Sequence, residues 1–274
     1  MRRFRFQPRN AGIIAAASVA LGLSALTITP TLAASGKQPA PPGAIAGAPP
    51  QYTRFITREL ERGFMALAFG SDLRIGPKPR GVRRFDRPIR AAVITGGSVD
   101  RRAAMRRVIE EYARKVPNLR LTLTRNRADA DLDVRLIDEK DFRAALRATF
   151  GPKVTKTFVE RTDPQCMTSV KSDSGGAIVH SVSFIIVDQG DEVFRDCAYH
   201  ELLHAFGLSN HDQRNPWTTL NQKRMVGYLT VYDRALLTLL YEPEIRPGMT
   251  RRQARRALPR LIRRLGLARA HHRP

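Results

Sequence analysis

Apolar residues recur at helical spacing from Tyr52 to Phe69, where Phe55, Leu60, Phe64, Leu67 and Ala68 mark one face and Gly70 supplies a stop. Beyond a basic loop punctuated by Pro and Gly, PIRAAVITG (88–96) reads as a strand, and Arg101 to Lys115 as a helix halted by Pro117. LRLTLTRN (119–126) and ADLDVRLI (130–137) alternate as half-buried strands do, and Lys140 to Phe150 returns to helical spacing. AIVHSVSFIIVD (177–188) is the next strand, and a helix from about Asp191 to Phe206 follows it directly. This order predicts a mixed sheet packed against helices, an α+β class, with no internal repeat.

The flanks lack this patterning. MRRFRFQPRN is basic, Ala11 to Ile28 is apolar and rich in small residues, and Thr31-Leu32-Ala33 resembles a cleavage site, so residues 1–33 read as a secretory signal peptide. The apolar run nearly reaches the length of a membrane anchor, but its low hydrophobicity favours cleavage. The expectation is a periplasmic or extracellular protein. Residues 34–51, rich in Pro, Ala and Gly, form a linker, and residues 52–248 the main domain. Residues 249–274 form a basic amphipathic tail in which Leu258, Leu261, Ile262, Leu265 and Leu267 interleave with arginines. Two arrangements suit this tail: leucines packed on the domain with arginines in water, or a helix lying on an anionic membrane or envelope surface.

The formal net charge is +22, and Arg2, Arg3, Arg5 and Arg9 account for four of these charges, leaving +18 after removal of the signal. Anionic surfaces are therefore the expected partners, with nucleic acid the least expected in an exported protein. The two cysteines, Cys166 and Cys197, would form a disulfide outside the cytosol. The alternative makes Cys197 a thiolate ligand three residues before His200.

The densest chemistry is DCAYHELLHAFGLSNHDQ (196–213). On a helix, His200 and His204 share a face and can present imidazole nitrogens to one metal ion, with Glu201 beside them facing a bound water. Neutral imidazole suits Zn2+, which would acidify that water and polarise a carbonyl while Glu201 acts as general base. Gly207 offers a left-handed turn that could return the next residues toward the metal.

With this glycine the segment resembles the metzincin branch of zinc peptidases, whose pattern H-E-x-x-H-x-x-G-x-x-H places a third histidine where this chain has Asn210. His211 follows one residue late and is the first choice of third ligand. Asp212 is the alternative, ahead of Asn210 and of a distant glutamate such as Glu242. The resemblance extends to Met225, as a methionine turn, and to LTVYDRALLTLLY (229–241), as the final helix. It makes Tyr228 and Tyr232 candidates for oxyanion stabilisation, and strand 177–188, which carries His180, the edge along which a peptide would lie. From about Tyr52 to Leu265 the chain also resembles a family of uncharacterised exported proteobacterial proteins. Cys197, Glu201, Leu202, Gly207, Leu208, Asn210, Tyr241, Pro243, Gly248 and Met249 fit its pattern.

The implied fold is zincin-like: a mixed twisted sheet, a long active-site helix and a C-terminal helical subdomain. The implied activity is zinc-dependent hydrolysis of a peptide or protein substrate. The alternative is a zincin-like envelope module that binds a partner or an anionic surface without catalysis.

Overall fold

The computed structural model describes residues 37, 38, 40, 41, 44, 48, 50–70, 80–162 and 164–268. The chain divides into Met1–Ala34 and Ser35–Pro274. The first unit, with the expected signal peptide, lies outside the described residues, as does the end of the basic tail.

In chain order the elements are β1 (Lys37–Gln38), β2 (Gln51–Tyr52), α1 (Thr57–Phe69), β3 (Ile89–Thr95), α2 (Arg102–Lys115), β4 (Leu121–Leu123), β5 (Leu132–Ile137), α3 (Glu139–Phe150) and α4 (Pro152–Thr162). There follow β6 (Cys166–Ser172), β7 (Ile178–Ile186), α5 (Asp191–Ala205), α6 (Val231–Leu240) and α7 (Arg251–Arg264). No described helix is long and apolar enough to cross a membrane.

Short β1 and β2 pair antiparallel. The other five strands form one mixed sheet in the order β4-β3-β5-β7-β6. The pairs β3–β4, β3–β5 and β5–β7 are parallel, whereas β6 runs antiparallel to β7. The edge role expected for strand 177–188 is thereby corrected: β7 is paired on both sides, and β6 is the edge. Nothing in the hydrophobic pattern flagged β6, because CMTSVKS carries little apolar alternation.

Other departures have local causes. Tyr52 sits in β2, and the first helix starts only at Thr57, where the Glu59 carboxylate accepts from the Ile56 N–H at 3.0 Å. β4 is shorter than expected because Asn126 accepts from the Ala128 N–H and turns the chain into a 3-10 segment, Arg127–Asp129. α4 begins at Pro152 directly after Gly151, which has φ 79°. A proline suits the first helical position, where its missing N–H costs nothing.

Strand alternation places the two cores. On β7, Ser181, Ser183 and Ile185 face one side of the sheet, and Val182, Phe184 and Ile186 the other. The second side joins Phe142 and Leu146 of α3 in a small cluster with Met167 of β6. The first side belongs to the main core, which includes α1, α2, α5 and α6. α7 joins this core through buried Ala254, Leu258, Leu261 and Ile262, so the leucines of the basic tail pack on the domain.

A single guanidinium ties the start of the sheet to the chain's end. Arg84 Nη1 donates to the carbonyls of Leu240, Glu242 and Ile245 at 2.8, 2.9 and 2.9 Å, with the guanidinium over the Tyr241 ring. These carbonyls lie at and beyond the end of α6, where helical N–H partners run out, and the Glu242 carbonyl also accepts from the Ile245 N–H at 2.9 Å.

α5 ends in a turn only glycine can make. Gly207 has φ 115°, and a Cβ there would lie 2.0 Å from the Arg83 carbonyl oxygen. The turn is closed by Leu208 N–H to Leu203 O at 3.1 Å and Gly207 N–H to His204 O at 3.0 Å. Gly207→Ala should therefore destabilise the fold by more than ~1 kcal/mol, read as a lower urea midpoint. The Cys166–Cys197 disulfide, with a Cα–Cα distance of 5.8 Å, joins edge strand β6 to α5. The chain-entropy estimate for its 31-residue separation is roughly 3–4 kcal/mol. Cys166→Ser/Cys197→Ser should show a loss of that order in equilibrium unfolding.

Candidate metal centre

Three sides of α5 are committed to the core: Phe194, Cys197, Ala198, Leu202, Leu203 and Ala205 are buried. The remaining stripe holds Asp196, His200 and His204, one helical turn apart, each partly buried. Acidic Asp191 and Glu192 occupy the first turn and His204 the last, a polarity that suits the helix dipole.

The turn at Gly207 brings the following chain back over this stripe. Ser209 Oγ donates to Gly70 O at 3.1 Å and Asn210 Nδ2 to Ala66 O at 3.0 Å, fastening the return to the end of α1. Asn210 thus faces α1, and His211, one residue later, faces the helix. The Nε2 atoms of the three histidines form a near-equilateral triangle: 2.9 Å between His200 and His211, 3.1 Å between His200 and His204, and 3.1 Å between His204 and His211. It is the one group of metal-competent side chains found among the described residues.

The outer nitrogens fix the chemistry of the inner ones. His200 Nδ1 donates to Thr219 O at 3.1 Å and His204 Nδ1 to Leu208 O at 2.6 Å. A carbonyl only accepts, so these Nδ1 atoms carry the protons and both Nε2 atoms present lone pairs when the rings are neutral. Burial, then the neighbouring His204 and His211, holds the His200 pKa well below the usual imidazole range. Two lone pairs 3.1 Å apart repel unless a cation stands between them. Three nitrogens each about 2.0 Å from one tetrahedral ion would stand roughly 3.3 Å apart, close to the observed triangle.

The supporting shell reaches into the next helix. Asp233, fully buried in the first turn of α6, accepts from the Thr219 N–H at 2.8 Å and the Thr230 hydroxyl at 2.8 Å, and the Thr218 hydroxyl also donates to it. Thr219 thus bridges the two, its N–H bonded to Asp233 and its carbonyl to His200. On the other flank, Asp196 Oδ1 accepts from the Val226 and Gly227 N–H groups at 2.6 and 3.2 Å, pinning the backbone just after Met225. Burial pushes the Asp196 carboxyl up to about 6, against the pull of those two bonds.

Glu201 lies on the sheet side of the stripe and is 3% exposed. Thr168 of β6 donates to its backbone carbonyl at 3.1 Å and sits 2.7 Å from the Ser183 hydroxyl. Its carboxylate Oε2 is buried without a protein partner. Burial pushes that carboxyl up to about 8, against a lowering hydrogen bond from Thr168 and with nearby Asp196 adding to the rise.

The other sequence candidates go elsewhere. Asp212 accepts from the Arg214 N–H at 3.2 Å, in a local turn. Glu242 is held by Arg264 and by Asn118 at 2.6 and 3.2 Å. Cys197 is consumed by the disulfide, which removes it as a thiolate ligand. His180 lies on β7 in register with Lys171. The Tyr232 hydroxyl donates to Glu59 O at 3.2 Å, and its ring packs on Phe55, so it serves the contact with α1. Tyr228 is buried, its hydroxyl pushed up to about 12 by burial. Sequence reading missed Thr219 and Leu208, which act through backbone atoms, and Asp233, whose signal was a Thr-x-x-Asp helix start at Thr230.

A family model described as "Protein of unknown function (DUF2927)" matches residues 57–260. No curated protein and no solved structure matches the chain. The family match takes in the sheet, α5, the returning loop and the three histidines, and on that extent the chain belongs to the DUF2927 family.

Proposed function

We propose that the protein is an exported zinc-dependent metallopeptidase, with His200, His204 and His211 as metal ligands and Glu201 as general base. The observation that carries the reading is the convergence of three Nε2 atoms within 2.9–3.1 Å while the outer nitrogens of two rings are spent on backbone carbonyls. That outer bonding is what orients imidazoles toward a metal and raises their basicity. Zinc is the metal that three neutral imidazoles favour, and held there it would acidify a water and polarise a carbonyl.

The chain's own groups supply the rest. Glu201 follows His200 directly and has a buried carboxylate oxygen without a protein partner; a cation on the histidines would pull its raised pKa back down and leave it ionised, able to take a proton from water and return it to a leaving amine. Edge strand β6 runs beside α5, tied by the disulfide and by Thr168. An extended peptide could add to this edge with its backbone in register, which favours a peptide over a small ester or sugar. The export half of the reading rests on residues 1–33 alone.

Elemental mass spectrometry should find about one zinc per chain in the purified protein and none in His204→Ala. A wild type that stays empty after reconstitution with zinc would sink the metal assignment. Glu201→Gln should keep its zinc but hydrolyse a peptide-library substrate roughly 100-fold or more slowly. Undiminished turnover in that variant would remove Glu201 from the chemistry. A zinc-loaded wild type with no turnover would leave a metal-binding module in place of a peptidase.

A further inference from the structure

α7 combines a buried apolar side with an outer face made almost wholly of arginine. Its 14 residues include seven arginines and no acid. Arg260 and Arg264 are spent on Glu244, and Arg264 also on Glu242. Arg251 lies over the Phe69 ring and donates to its carbonyl. Arg252, Arg255, Arg256 and Arg263 are exposed, and none has an ion pair among the described residues. At about 100° and 1.5 Å per residue these four fall on one stripe roughly 17 Å long, opposite buried Leu258 and Leu261.

This arrangement changes the reading of the basic tail. Leu258, Leu261 and Ile262 are 0% exposed, so the helix has no apolar face left to insert among acyl chains. Val99, on another part of the fold, is the single exposed large hydrophobic among the described residues. Attachment through α7 would therefore be electrostatic. Guanidinium groups pair with phosphate oxygens in a bidentate fork, and several of them on one side of a helix can meet an array of phosphates. The stripe has no aromatic side chain on which a base could stack, which disfavours single-stranded nucleic acid.

We infer that the outer face of α7 is a docking surface for an anionic phospholipid membrane, adsorbing through Arg252, Arg255, Arg256 and Arg263 without insertion. This surface is separate from the histidine centre and does not depend on its assignment.

The test compares three forms of the full chain: wild type, Arg252→Gln/Arg255→Gln/Arg256→Gln/Arg263→Gln, and a charge-matched control altering exposed Arg106, Arg107, Arg143 and Arg147 to Gln. Each is sedimented with phosphatidylglycerol-rich vesicles and with pure phosphatidylcholine vesicles. Residues 1–34 are common to all three, so their contribution cancels. Wild type should prefer the anionic vesicles and lose that preference on raising salt from about 0.05 to 0.5 M. The stripe variant should lose nearly three orders of magnitude in anionic-vesicle partitioning, given about fivefold for each of its four arginines near such a surface, and the control under tenfold. Equal losses in both variants would reduce the effect to net charge and overturn the assignment, as would a stripe variant that binds like wild type. Binding to heparin or single-stranded DNA that depends on the stripe, with vesicle binding unaffected, would replace the lipid by a soluble polyanion.

Discussion

The structure turns on how α5, buried on three sides, satisfies its own carbonyls. Side-chain hydroxyls from its neighbours do this at its C-terminal end and add second bonds to carbonyls further in. Tyr112 of α2 donates to Tyr199 O, Thr168 of β6 to Glu201 O, Ser181 of β7 to Ala205 O, and the Tyr241 hydroxyl, just after α6, to Phe206 O. The Ala205 and Phe206 carbonyls lie past the last helical bonds, where a buried acceptor without a partner costs about 1–3 kcal/mol, and all four bonds fix the helix against a neighbour. The result is a rigid rod with one free side, and that side carries the histidines.

Rigidity of this kind lets short-range chemistry set the site. The Leu208 carbonyl reaches His204 because Gly207 reverses the chain, and the Thr219 carbonyl reaches His200 because Asp233 holds the same residue by its N–H. Neither carbonyl belongs to a residue whose side chain would attract notice. The tautomers of the two helix histidines are thus written in the backbone path.

That division explains what was legible in the sequence. The i, i+4 spacing of His200 and His204 is a property of any helix, and it could be read directly. His211 could be ranked but not placed, because its approach depends on Asn210 and Ser209 bonding to the end of α1, more than 130 residues away in the chain. β3, β5 and β7 announced themselves through β-branched and apolar runs. β6 did not, since an edge strand with one face on a hydroxyl-lined seam has little need of apolar residues. The leucines of α7 were visible as an amphipathic pattern, but only the packing against α1 and α6 shows which side water receives.

The Arg84 clamp sets the order in which the molecule can be completed. Its three carbonyl partners lie 156, 158 and 161 residues further along the chain, so the segment before β3 cannot reach its final position until α6 and the turn after it exist. Contacts of such range slow folding, because loop closure precedes any reward from the contact. A nascent chain therefore leaves the segment around Arg84 unfastened until α6 and the turn after it have been made.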